Sequence, residues 1–133
     1  MSIFVNQVQV SFGDCDPAGI VFYPNYFRWM DATFHAFLHD RVGGHAKLCR
    51  DLGARGLGLM EAKLSFRLPA TEGRALEFAI EAIEWSGRSF TVNYRAVQGA
   101  RVILEGYERR GVFVEKDGRL AAGDVAPVQE ILG

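Results

Sequence analysis

The sequence predicts an α+β fold in which one antiparallel sheet of five strands curls around a single long helix. Three observations carry that prediction. One stretch, from Pro24 to about Asp40, keeps helical spacing, whereas four runs after it and one before it alternate apolar and polar residues. Most of those runs are joined by turns too short to hold a crossover helix, so neighbouring strands must run antiparallel. At 133 residues the chain fits one domain, 1–133, able to bury roughly two-thirds of its unfolded surface.

Ile3, Val5, Val8, Val10 and Phe12 alternate with polar residues apart from a slip at Asn6-Gln7, which predicts a bulged strand ending at Gly13. Pro24 suits the first helical position, where its missing N–H has no partner to lose. Phe27, Met30, Phe34, Phe37 and Leu38 follow at steps of three or four, and Trp29, Ala32, Thr33 and Ala36 widen the apolar surface, as expected of a helix wrapped by sheet. Arg28, Asp31, His35 and His39 form its polar stripe, and Gly43-Gly44 ends it. His45 to Leu52 predicts a short helical turn. Gly53, Gly56 and Gly58 then predict a flexible connector; no Lys-Ser or Lys-Thr pair follows them, so they do not form a phosphate loop.

Met60, Ala62, Leu64, Phe66 and Leu68 alternate with Glu61, Lys63, Ser65 and Arg67, the cleanest half-buried strand in the chain. In the next strand, Leu76, Phe78, Ile80 and Ala82 share a face, and the shift to Ile83 and Trp85 predicts a bulge at Ala82 to Glu84. Short connections at Ser86-Gly87-Arg88 and Gln98-Gly99-Ala100 lead into strands carrying Phe90, Val92, Tyr94 and Ala96, and Val102 and Leu104 onward to Val114. Lys116 to Arg119 is a turn, and the tail from Pro127 ends in one helical turn.

Composition narrows the function. Apolar residues at 49% and charged residues at 23% describe an ordinary globular protein, and a net charge of -1 gives no reason to expect nucleic acid or an anionic membrane as partner. No apolar run approaches the roughly 18 residues of a membrane span, and the N-terminus lacks the basic leader and apolar core of a signal peptide. Two cysteines, Cys15 and Cys49, make no disulfide framework and no metal spacing. The expectation is a cytoplasmic protein with no metal.

The chemistry concentrates between Phe12 and Trp29. Asp16 precedes Pro17, which holds its backbone extended, and Gly19 permits a positive φ, so the carboxylate sits in a stiff turn. Pro24 then opens the helix, placing a carboxylate and the positive end of a helix close in sequence, a pairing suited to attack on a carbonyl. Asp16 as a plain turn cap is the bland alternative. Asp14 competes for the same role or orients the loop, and Asp31 is either a solvated or Arg28-paired residue or a helper acid. Cys15 is a poor nucleophile because flanking carboxylates disfavour its thiolate. His35 and His39 lack the further ligands a metal site needs.

Gly13-Asp14-Cys15-Asp16-Pro17-Ala18-Gly19-Ile20-Val21, with Tyr23-Pro24-Asn25-Tyr26 and Arg28-Trp29, resembles the active-site segment of the 4-hydroxybenzoyl-CoA thioesterase family. The resemblance implies a hotdog fold and a cofactor-free acyl-CoA thioesterase, with coenzyme A part of the substrate. It implies Asp16 as nucleophile or general base and the Tyr23 backbone N–H as oxyanion donor, with Gly19 and Pro24 shaping the substrate site. The family's basic cluster after a Glu-Trp pair is reduced here to Arg88, behind Glu84-Trp85, as the nucleotide contact; Arg109 or Arg110 is a substitute, with solvated surface as the default for both. The resemblance further implies a homodimer or homotetramer with sites at the subunit interface. An aromatic acyl group is the first expectation; a short- or medium-chain aliphatic acyl-CoA, a non-catalytic acyl-CoA-binding module and a histidine-dependent dehydratase are the rivals. The last lacks a histidine at the turn.

Overall fold

The computed structural model describes residues 2–133. Its elements are β1 (Phe4–Gln9), α1 (Pro24–Val42), α2 (His45–Leu52), β2 (Gly56–Phe66), β3 (Ala75–Ser86), β4 (Ser89–Gln98), β5 (Arg101–Lys116), β6 (Arg119–Gly123) and α3 (Ala126–Leu132). The five expected strands lie in the order β1-β3-β4-β5-β2, every pair antiparallel, and wrap α1 as a hotdog sheet. Phe34, Phe37 and Leu38 of α1 are buried against Phe78, Phe90 and Leu104 of the sheet. Gly43, at φ 85°, ends α1 with its N–H on the His39 carbonyl.

Several local expectations need correction. Strand β1 carries no bulge: its register with β3 is unbroken from Phe4 to Gln9, and it stops short of Gly13. The slip in its pattern arises because Asn6 points inward and donates to the buried Thr33 hydroxyl at 3.2 Å, so a polar residue occupies an apolar phase with its hydrogen bond satisfied. The segment His45–Leu52 is a two-turn helix rather than a single turn. Gly56 and Gly58 belong to β2 rather than to a flexible connector. A Cβ on Gly58 would lie 1.7 Å from the Phe113 ring, so glycine is required there by close approach rather than by flexibility.

A register shift between Leu59 and Glu61 moves Met60 off the inward face, where Ala62 and Leu64 stay, while Phe66 at the end of the strand is exposed. The β3 bulge falls at Glu81, just before the expected position, and still brings Ile83 and Trp85 opposite Val92 and Phe90. Beyond the expected strands, β6 folds back on β5 through a turn in which Asp117 and Gly118 both adopt positive φ. The tail is a two-turn helix that buries Val128 and Leu132.

Candidate active site

The site begins with a small hairpin hung between β1 and α1. Cys15 and Val21 bridge its sides, Ile20 bridges Thr71, and the Gly19 N–H closes the turn on the Asp16 carbonyl at 2.9 Å. Gly19 takes φ 81°, the positive value expected of it. Asp16 Oδ1 accepts the Ala18 N–H at 2.8 Å, which fixes the carboxylate, while Oδ2 accepts no hydrogen bond among the described residues. The residue is half-buried and lines a cavity of about 420 Å³ together with Phe12, Cys15, Pro17, Gly19 and Glu72.

Asp14 is occupied elsewhere. Its Oδ2 accepts both the backbone N–H and the hydroxyl of Ser11 at 2.9 Å, closing the 3₁₀ turn Phe12–Asp14, while its own carbonyl receives Asn25 Nδ2 at 2.9 Å. It orients the loop. Burial, followed by the negative charges of Glu72, Asp14 and Asp16, pushes the Cys15 thiol above its ordinary pKa, so it stays protonated near neutral pH.

Tyr23 sits where the hairpin becomes α1. Its backbone is already helical (φ -55°, ψ -33°), and Pro24 follows at the first helical position, where it has no N–H to offer. The flanking N–H groups are used: Phe22 donates to the Asp14 carbonyl, Asn25 to Phe22 and Tyr26 to Tyr23. The Tyr23 N–H donates to no acceptor among the described residues, which leaves it as the free donor at the positive end of a 19-residue helix. Asp16, Gly19, Tyr23 and Pro24 thus come together on one hairpin and its helix start. A second cavity, of about 310 Å³, opens beside Tyr23 and is mainly apolar, with Ile20, Val21, Tyr26, Phe66 and Leu68 in its wall.

Arg88 lies elsewhere in the protomer. It sits on the β3–β4 hairpin, lines neither cavity, and donates from Nη1 to the Ala122 carbonyl of β6 at 3.0 Å. Among the described residues no group of three or more potential ligands is arranged for a metal; His35 instead faces Asp31 at 3.6 Å.

Two features escape the sequence. Glu72 reaches the Asp16 cavity from the loop before β3, anchored because the buried Gln98 side chain holds both the N–H and the carbonyl of Thr71. Its only sequence signal is a place in a turn. The larger omission is Arg110, read as surface and found 3% exposed. Its guanidinium lies over the Phe34 ring at 4.3 Å, bonds Glu108 at 3.1 and 3.0 Å, reaches Asp31 of α1 at 2.8 Å and holds the Leu57 carbonyl at 3.1 Å. Tyr94 donates to Glu108 at 2.6 Å, and burial with that carboxylate holds its hydroxyl well above the ordinary pKa. Asp31 therefore pairs with Arg110 rather than with Arg28. The Leu57 N–H completes the tie by donating to His45 Nε2 at 3.1 Å, an acceptor role that requires neutral imidazole. Burial, then nearby His35 and Arg110, lowers the His45 pKa and favours that state.

The chain resembles known proteins over nearly its whole length. A family model for the thioesterase-like superfamily matches residues 10–132. The 4-hydroxybenzoyl-CoA thioesterase of Pseudomonas sp. (strain CBS-3) is 33% identical over 126 residues, covering 90% of this chain and 89% of that protein. A solved 4-hydroxybenzoyl-CoA thioesterase carrying an Asp-to-Asn substitution, in complex with 4-hydroxybenzoyl-CoA, superposes with a TM-score of 0.85 at 28% identity over 97% of both chains. A gentisyl-coenzyme A thioesterase superposes with a TM-score of 0.79 at 32% identity, over 96% of this chain and 99% of that one.

Proposed function

This chain belongs to the 4-hydroxybenzoyl-CoA thioesterase family of the thioesterase-like superfamily and is a thioester hydrolase, and from that premise we propose that it cleaves an aromatic acyl-coenzyme A to the free acid and coenzyme A. The observation that carries the catalytic assignment is the pairing on one short segment of a carboxylate with an unbonded oxygen and a helix-start N–H with no acceptor. Relatives that act on 4-hydroxybenzoyl and gentisyl thioesters support the aromatic acyl group, and the Asp-to-Asn relative solved with its coenzyme A ester supports a catalytic aspartate.

In the proposed reaction the thioester oxygen takes the Tyr23 N–H, where the end of α1 stabilises the negative charge that grows on it. Asp16 then acts in one of two ways. As nucleophile, Oδ2 bonds the acyl carbon, the C–S bond breaks to release thiolate, and water cleaves the resulting anhydride to return the carboxylate. As general base, Asp16 takes a proton from a water that attacks the same carbon directly. Single turnover in labelled water tests the first route, because solvent oxygen found in Asp16 requires an anhydride opened at the aspartyl carbon, whereas general-base attack leaves the carboxylate unlabelled. Neither route calls for a cofactor beyond the coenzyme A of the substrate.

The exposed edge of β2 supports assembly of two or four copies. That strand has β5 on one side only, and Leu59, Met60, Phe66 and Leu68 expose apolar surface on or beside it, so a second copy pairing there would cover both strand and residues. Arg88 is then the proposed contact for the nucleotide of coenzyme A, and sedimentation of the purified protein measures the assembly. No helix among the described residues is long and apolar enough to cross a membrane, in keeping with the proposed cytoplasmic location. The reaction is tested by thiol release from a panel of aromatic and aliphatic acyl-CoAs. Preference for an aliphatic member would refute the aromatic assignment.

A further inference from the structure

Asp16 stands on a hairpin whose backbone is fastened from outside. Within the hairpin the Asp16 N–H donates to the Ile20 carbonyl at 2.9 Å, so the side that carries Ile20 sets where the carboxylate lies. Ile20 in turn bridges Thr71, and Val21 donates to the Ala70 carbonyl at 3.1 Å. On the other flank Gly73 donates to the Val10 carbonyl at 3.0 Å, just after β1. The segment from Ala70 to Gly73 therefore holds both roots of the hairpin. It lies between β2 and β3 and belongs to neither, so no strand ladder keeps it in place.

Gln98, the last residue of β4, supplies that hold. Its side chain is buried; Oε1 accepts the Thr71 N–H at 3.2 Å, and Nε2 donates to the Thr71 carbonyl at 2.9 Å and to the Arg74 carbonyl at 3.3 Å. Both amide donors and the amide oxygen are thus used on three backbone groups of one connecting segment. Among the described residues no backbone group pairs with the Thr71 N–H or carbonyl, so the amide does for this segment what a neighbouring strand would do. Strand β4 itself lies inside the sheet, between β3 and β5. Gln98 therefore transmits the position of the sheet to the hairpin.

We propose that Gln98 is a positioning residue for the hydrolysis, fixing the Asp16 carboxylate relative to the Tyr23 N–H through Thr71 and Ile20. The inference rests on the reading of Asp16 as the catalytic residue and extends it to a residue that lines neither cavity. A reacting group displaced by about 1 Å can lose roughly 100-fold in rate. Substrate affinity does not depend on that alignment and is left nearly unchanged. The competing account is that Gln98 only satisfies the backbone of the loop, contributing stability and nothing to the rate.

The test uses Gln98→Met, which keeps the length of the side chain and removes its polar atoms. Thiol release from 4-hydroxybenzoyl-CoA gives kcat and KM for wild type, Gln98→Met, Asp16→Asn and the double variant, under conditions where urea titration shows each protein folded. Gln98→Met is expected to lower kcat by roughly 10- to 100-fold with KM changed by less than about threefold. In the Asp16→Asn background it is expected to lower the residual rate by no more than about threefold, because a residue that acts through Asp16 has nothing left to position. A wild-type kcat in Gln98→Met overturns the proposal in favour of the stabilising role. Equal slowing in both backgrounds overturns it in favour of a general loosening of the fold. Should Gln98→Met not fold, Gln98→Asn, which keeps the amide but withdraws it by one methylene, carries the same two comparisons. An Asp16→Asn enzyme as fast as wild type refutes the catalytic assignment, and this proposal falls with it; a slow Asp16→Asn beside a fast Gln98→Met refutes this proposal alone.

Discussion

The hairpin at Asp16 and the cluster around Arg110 both hold buried or half-buried charge, and they treat it in opposite ways. At the hairpin one carboxylate oxygen is fixed by the Ala18 N–H and the other is left open, and the helix-start N–H at the hairpin's far end is also open. In the cluster, Arg110 is bonded by Glu108, Asp31 and the Leu57 carbonyl, and Glu108 is bonded again by Tyr94. The first arrangement retains groups that a substrate can engage. The second leaves nothing reactive and ties α1, β4, β5 and the start of β2 together, which holds the helix that carries the site.

That contrast fixes what each substitution does. Arg110→Leu strands the buried Glu108 and is expected to lower unfolding stability by about 3–5 kcal/mol, read as a lower urea midpoint. Replacing Arg110 and Glu108 together with leucine recovers only part of that loss, because a buried ion pair can often be exchanged for packed apolar groups at little net cost but the buried Tyr94 hydroxyl then loses its acceptor. A single variant as stable as wild type would show the cluster to be idle. Gly58→Ala probes the same corner through sterics: the new methyl meets the Phe113 ring, and a loss of about 1–3 kcal/mol is expected on the same urea axis.

Asp14→Ala sharpens the comparison within the hairpin. It removes the acceptor for both Ser11 donors and is expected to cost about 0.5–2 kcal/mol, while slowing thiol release by at least roughly tenfold less than Asp16→Asn does. Equal activity losses for the two would mean that the carboxylates act as a pair. The smallest effect concerns pH. His45 has a folded-state pKa below its ordinary value near 6.5, so the unfolded chain binds the proton more readily. Its contribution to stability is whole above about pH 6.5 and is lost as pH falls through that value toward the lower, folded one. His45→Gln should therefore flatten the fall in urea midpoint between about pH 7.5 and 5. Parallel pH curves for the two proteins would remove His45 from the account.

The same contrast explains what the sequence discloses. The candidate site is legible as a local arrangement: Asp16, Gly19, Tyr23 and Pro24 span nine residues, and the proline and glycine among them announce their backbone geometry. Helix α1 is legible from its spacing and its Gly43-Gly44 stop, and β3, β4 and β5 from alternation over long runs. The cluster is hidden because its members are remote in sequence. Arg110 and Asp31 stand 79 residues apart, and an arginine in a charged run reads as surface until the fold brings its partners to it. Asn6 misleads for the same reason, since its partner Thr33 is 27 residues away. Strand β6, only five residues long, lacks room to display a period, and Met60 is misplaced by a bulge between Leu59 and Glu61 that shows only in the pairing with β5.

The central claim is that the open carboxylate of Asp16 performs the hydrolysis. The direct test compares wild type with Asp16→Asn for thiol release from 4-hydroxybenzoyl-CoA, with urea unfolding of both proteins as the control. The account predicts a fall in kcat of roughly 10²- to 10⁴-fold with stability changed by no more than about 0.5 kcal/mol. An Asp16→Asn enzyme that turns over like wild type would contradict it.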